Sequence, residues 1–402
     1  MFSGTATARF VHIDALIIDS EENRDTKSFL DLATYITPLY WERAWKLAKN
    51  GYKMTTGSVD GFQSIYDEKI KFEQGNDSFR IAFKQSRYED KVVWDEENEL
   101  DFIFSPTRNF EYWFMASALG SKKWSDLGLA LRFLDKENFN FLLKFWVVDG
   151  FYHSKEVILT DTYEDYIYTF EVDLEAKMSK NLSFALHITY DSPLNWLRES
   201  QQYNYQYSKS FSDLEVRQSV GDYWDLVFFG YAENKMESKI WSNIPGHQYS
   251  KKNDKDFYKA GLKVEYLKER YSLRLGAQYL KITQRNENFG YTNEDGHIYK
   301  EPPGESGNRT EYTAFIECSF PVWDLTNIQT GYYHSKLESS FYDPERSTQN
   351  KMQVMFDFRP SDETAVVLNL TYDVDKIMTR IENDFPDYNI YGGGNIQAMV
   401  YF

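Results

Sequence analysis

The chain has 402 residues, with 45 basic and 62 acidic side chains and a formal charge of −17. That balance argues against nucleic acid as a partner, which needs clustered Lys and Arg. A lone cysteine, Cys318, rules out an intrachain disulfide and a cysteine-rich metal site, and no run of about eighteen apolar residues offers a transmembrane helix.

Aromatic residues make up 18% of the chain, with 31 Tyr and 30 Phe, although the sequence is polar on average. The two features are compatible if the apolar residues occupy every second position of β-strands, where side chains alternate between faces. Met1-Phe2-Ser3-Gly4 lacks the basic region and apolar core of an export signal, so the sequence is expected to be a mature form.

Ser3–Ile13 reads as a weakly patterned first strand. Residues 14–61 break the rhythm and form a long first loop. Within it, Thr37-Pro38 supplies a helix start, Trp41, Ala44, Trp45 and Ala48 recur at helical spacing, and Gly51 supplies a stop, giving a short helix over Pro38–Asn50. A loop this long inside a compact fold is usually functional. Trp41, Glu42, Arg43, Trp45 and Lys46 are its candidates to constrict or plug a pore.

From Phe62 the chain settles into strand, short turn, strand, longer connection. Alternation is clearest in Tyr166, Tyr168, Phe170, Val172 and Leu174, set against Asp165, Thr169, Glu171, Asp173 and Glu175. It returns in Leu182, Phe184, Leu186, Ile188 and Tyr190, and in Met352, Val354, Phe356 and Phe358. About eighteen strands of roughly ten residues result, with sixteen as the alternative count; a single-chain bacterial barrel requires an even number. Residues 149–164, 192–202, 238–256, 284–309, 338–348 and 375–391 are the longer, polar connections. The alternation over Phe62–Glu73 puts Glu68 on the apolar face beside Tyr66 and Ile70, and a one-residue slip there would exchange the two faces.

The chain closes on GGGNIQAMVYF, residues 392–402. Ile396, Ala398, Val400 and Phe402 share one face; Asn395, Gln397, Met399 and Tyr401 share the other. This ending resembles the closing strand of bacterial outer-membrane β-barrel proteins, and the strand–turn rhythm resembles that of porins and channel-forming barrels. The resemblance implies an all-β, single-domain transmembrane antiparallel barrel in the cell outer membrane. It also implies recognition of residues 392–402 by the barrel-assembly machinery, contact with lipid and lipopolysaccharide, and a monomer or homotrimer. The implied activity is passive or substrate-selective diffusion of small polar solutes, cations or neutral molecules given the acidic charge, with no catalysis and no cofactor. The alternatives are a plugged or scaffold barrel acting with a partner, and an outer-membrane hydrolase.

With the apolar set facing lipid, the other set lines a lumen. The pore-lining candidates are Arg80, Lys84, Arg132, Lys144, Glu171, Asp173, Glu175, Lys263, Glu317, Asp357 and Arg359. Basic and acidic walls facing one another would set up a transverse field, and the strip Glu171–Asp173–Glu175 is the strongest candidate filter. His153-Ser154 and His334-Ser335 are adjacent pairs on strands, so each His and Ser face opposite ways and cannot form a nucleophile–base pair. The acidic stretches at 253–256 and 293–296 do not match the spaced ligands of a calcium loop, so no metal site is expected.

Overall fold

The computed structural model describes residues 49–401, leaving out 60–62, 90–93, 120–123, 136–137, 153–160, 164–167, 199–202, 245–246, 269, 293–297, 300–306, 340–347, 362 and 375–390. The strands in chain order are β1 (Gly51–Val59), β2 (Gln63–Gly75), β3 (Phe79–Glu89), β4 (Trp94–Thr107), β5 (Phe110–Leu119), β6 (Trp124–Asp135), β7 (Phe139–Tyr152), β8 (Asp161–Tyr163), β9 (Tyr168–Ser179) and β10 (Leu182–Arg198). They continue with β11 (Tyr203–Val220), β12 (Trp224–Ile244), β13 (His247–Lys268), β14 (Tyr271–Thr292), β15 (Ile298–Tyr299), β16 (Gly307–Trp323), β17 (Thr326–Ser339), β18 (Thr348–Ser361), β19 (Thr364–Asp373) and β20 (Tyr391–Tyr401).

All twenty belong to one sheet. The three-residue β8 and the two-residue β15 are short additions beside β10 and β14. The other eighteen pair antiparallel, each with its neighbour in sequence, and β20 returns to β1, with Thr55 opposite Gln397 and Lys53 opposite Met399. The sheet is therefore closed. Closure removes the unpaired edge that an open sheet would present, and only a closed barrel or a helix satisfies every backbone group in lipid.

The structure changes the start of the barrel. Residues 51–59 fall within the stretch the sequence assigns to a long first loop, yet they form β1 and receive the closing strand. Gly51 opens a strand. The strand expected at Ser3–Ile13 lies outside the described residues, as does the helix expected over Pro38–Asn50 except for Lys49 and Asn50, which are not helical. Residues 238–244, 247–256 and 284–292, read as loop from their polar composition, are strand as well. β12 to β14 run to 21 and 22 residues, about twice what a bilayer crossing needs. Their upper halves are thus paired in water, where no lipid imposes apolar alternation.

One end of the barrel carries tight turns. Between β11 and β12, Gly221 adopts φ 77°, a left-handed conformation open to glycine at little cost. The connections at the other end vary from 245–246, between β12 and β13, to 374–390, between β19 and β20. The residue alternation sorts the surface as a lipid environment demands. Leu127, Leu129, Leu131 and Phe133 on β6, and Phe139, Phe145 and Val147 on β7, are large, apolar and exposed on the outside. On β20, Ile396 and Val400 are exposed while Gln397 and Met399 are buried on the inner face. Glu68 does point outward, and the β2–β3 register places it opposite Arg87.

Candidate functional site

The inner surface of the barrel consists of two unlike walls. The first runs over β2–β10. Arg80 donates from Nη2 to Glu111 Oε1 (2.6 Å), and its Nε lies 3.2 Å from Glu73 Oε1. Arg132 lies on the other side of Glu111, with Nη1 3.6 Å from Oε2, and donates from Nε to Asn140 Oδ1 (3.0 Å). Lys84 Nζ reaches both Glu99 (2.6 Å) and Asp101 (3.0 Å). Lys144 Nζ pairs with Glu171 Oε2 at 2.7 Å, and the Trp146 indole donates to the other oxygen at 3.1 Å. Asp173 pairs with His187 Nδ1. Many of these groups remain open to the lumen: the side chains of Lys84, Asp173 and His187 are 42%, 35% and 32% exposed.

Beneath the charges lies an apolar footing of Ala82, Ile103, Trp113, Met115, Ala130 and Trp146. Gly128 makes it possible. A Cβ there would come within 2.6 Å of Met115 Cε and 2.7 Å of Trp146 Cε3, so the bare backbone lets the two side chains lie against the sheet. At the short-turn end this wall opens into a cavity of about 810 Å³ lined by Arg80, Arg108, Glu111, Arg132, Glu175 and Lys177, among others. Sequence spacing picks out Arg80, Arg132 and Glu175, and Lys177 shares the parity of Glu175 on β9; Arg108 lies in the turn between β4 and β5, where alternation gives no sign of which way a side chain turns.

The second wall runs over β11–β20 and β1. Arg217 Nη1 donates to Asp225 (2.6 Å) and Glu265 (2.7 Å). Lys263 Nζ lies 2.6 Å from Glu265, and Arg274 donates to Glu317 (3.0 Å). The Tyr333 hydroxyl donates to Glu317 (2.6 Å) and lies 2.9 Å from the Gln353 amide, whose Nε2 donates to Asn369 (2.9 Å). The network thus crosses every wall strand from β11 to β19. Its charges are nearly sealed: Arg217 is 2% exposed and Glu265 0%. Asp357 accepts from Arg359 Nη2 (2.7 Å) nearer the short-turn end.

The charged candidates named from the sequence between Arg80 and Arg359 all sit on the lumenal face, but not as two facing walls of opposite sign. Cations and anions pair within each wall. The reason is distance: cross-strand neighbours stand about 4.5–5.5 Å apart, far closer than groups across the lumen. The acidic strip on β9 is accordingly partnered at Glu171 and Asp173, and Glu175 opens into the cavity. Trp41, Glu42, Arg43, Trp45 and Lys46 lie outside the described residues. His334 is exposed on the outer face against Asn350, while Ser335 is buried on the inner face and donates to Glu311.

An apolar exterior, a charged interior and a closed ring of eighteen wall strands decide the class of the molecule. It is a transmembrane β-barrel. Closed barrels of this design, with an even strand number and short turns at one end, span bacterial outer membranes. Among the described residues no group of His, Cys, Asp and Glu is placed to hold a metal ion.

No protein-family model matches the barrel, and no curated protein matches it in sequence. Solved outer-membrane barrels resemble it in shape. OprD from Pseudomonas aeruginosa is 8% identical, over 88% of this chain and 92% of OprD, at a TM-score of 0.43. OpdQ from the same organism is 10% identical, over 89% of this chain and 98% of OpdQ, also at 0.43. The FrpB iron transporter of Neisseria meningitidis is 9% identical, over 90% of this chain and 83% of FrpB, at 0.39. Likeness at this level leaves the functional argument to the chain's own residues.

Proposed function

We propose that the barrel is a porin-like outer-membrane channel for small polar solutes, with its conduit running along the β2–β10 wall. The observation that carries this reading is the one-sided lumen. Partly exposed ion pairs, those of Lys84 and of His187 with Asp173 the most open, line β2–β10 above a cavity of about 810 Å³, while the opposite wall is sealed. Charged side chains lining a water-filled path tune which solutes pass. The net charge of −17 favours cations or neutral solutes over anions.

The test is single-channel conductance in planar bilayers under a salt gradient. A cation-selective reversal potential is expected, moving toward the anion side when Glu171→Gln, Asp173→Asn and Glu175→Gln are combined. A properly inserted barrel that never conducts would sink the reading.

One observation supports a second reading, a lumenal hydrolase. Asp173 holds His187 Nδ1, and the Thr189 hydroxyl lies 3.1 Å from Nε2, the connectivity of an acid–base–nucleophile chain. We give it second place, because these groups also belong to the half-exposed polar lining of the conduit. An ester-hydrolysis assay decides it: activity abolished by His187→Ala would promote it, and no activity in the parent protein would remove it.

A further inference from the structure

We propose that the cavity at the short-turn end binds zwitterions, small solutes that carry an ammonium and a carboxylate on one molecule. The inference deepens the channel reading and rests on it for how such solutes reach the cavity.

The first ground is the balance of charge. Among the described residues, four cations and four anions line the cavity, in a chain whose formal charge is −17. A simple ion of either sign therefore meets like charge as often as opposite charge. A solute that carries both signs can turn each end toward its partner.

The second ground is order. The charges form a row across the strands, and their signs alternate. Glu73 on β2 meets Arg80 on β3 (3.2 Å), Arg80 meets Glu111 on β5 (2.6 Å), and Arg132 on β6 lies 3.6 Å from the other oxygen of Glu111. Arg132 then donates to Asn140 on β7 (3.0 Å), which stands opposite Glu175 on β9. The Trp113 indole, a third donor, fixes Glu111 from below (3.2 Å). Interleaved charges about 5 Å apart cancel at a distance, so the row exerts little long-range pull on a simple ion. At contact it presents cation and anion side by side.

The third ground is the charges that have capacity to spare. Arg108, Glu175 and Lys177 are exposed in the cavity and form no ion pair among the described residues. Arg132 is 29% exposed, and its 3.6 Å contact with Glu111 is longer than the about 2.7–2.9 Å of a charge-assisted hydrogen bond. Arg132 and Arg108 can thus take a carboxylate while Glu175 takes an ammonium. Higher on the same wall the charges are already matched, Lys84 with Glu99 and Asp101 and Lys144 with Glu171. Two interstrand gaps of about 4.8 Å separate Arg132 from Glu175, so a solute whose two charges are held apart by a short linker suits the site.

The experiment is a ligand-observed NMR titration of the full chain in detergent micelles with 4-aminobutyrate, butyrate and butylammonium. These probes are of similar length and carry both charges, the negative one alone and the positive one alone. 4-Aminobutyrate is expected to bind about fivefold or more tighter than either, the worth of one added exposed ion pair. Equal Kd values overturn the proposal. Glu175→Lys should transfer the preference to butyrate, and an unchanged order of affinities in that variant would put the binding outside this cavity and overturn the proposal as well. Conductance measured on the same preparation separates the two readings. A barrel that conducts but binds the three probes alike loses the zwitterion site and keeps the channel; one that binds 4-aminobutyrate selectively but never conducts keeps the site and loses the channel.

Discussion

The two lumenal walls are built from the same residue types and behave differently. On β2–β10 the ion pairs are partly wet, and each pair is largely local to two or three neighbouring strands. On β11–β19 the charges are sealed and linked into one continuous chain of contacts. A half-exposed pair contributes little to stability, because water competes for both partners. A buried one is costly to break, because removing one partner strands the other without solvent. On the proposed channel reading, the first wall can vary its charge for permeation while the second holds the barrel's shape.

Substitutions that break this contrast have graded effects. Arg217→Met leaves Glu215, Asp225 and Glu265 without their shared cation. We expect a loss of about 3–5 kcal/mol, read from urea unfolding in lipid vesicles by tryptophan fluorescence; a loss below about 1 kcal/mol would mean that water reaches this wall after all. Gly128→Ala forces Met115 and Trp146 off the sheet and should cost about 1–3 kcal/mol, with a measurable change in conductance because the footing of the open wall moves. Conductance unchanged by that variant would place the conduit elsewhere. Lys84→Met should cost less than Arg217→Met, because Lys84 is 42% exposed even though its partner Asp101 is buried, while raising cation preference through Glu99 and Asp101. If its unfolding shifts as far as that of Arg217→Met, the two walls are not distinct.

The outer-face pattern was written plainly in the chain. Val172, Leu174, Leu186 and Ile188 alternate with polar residues because lipid and lumen sit on opposite sides of a single strand. The charged residues assigned to the lumen follow from the same parity. What the pattern could not supply was partnership. Glu171 and Lys144 lie 27 positions apart, and Arg217 and Glu265 48 apart; which charge meets which depends on strand order and register. The contact of His187 with Asp173 and Thr189 is of this kind, and no adjacent His–Ser pair marks it in the chain.

The start of the barrel was misread for a related reason. Gly51–Val59 is short and contains Gly, Lys, Ser and three Thr or Tyr residues, a composition equally suited to a loop. It becomes a strand because β2 and β20 both offer it hydrogen-bonding partners, and pairing on two sides overrides weak local preference. The polar upper halves of β12–β14 are strands on the same terms.

The sequence by itself determined that the molecule is a β-barrel, the approximate number of its strands and the face each side chain takes, because alternation is a local property of an extended chain in contact with two solvents. Only the tertiary structure decided where the ring closes, which charges neutralise one another and which wall is sealed. Those depend on distances between residues far apart in the chain, and no local pattern encodes them.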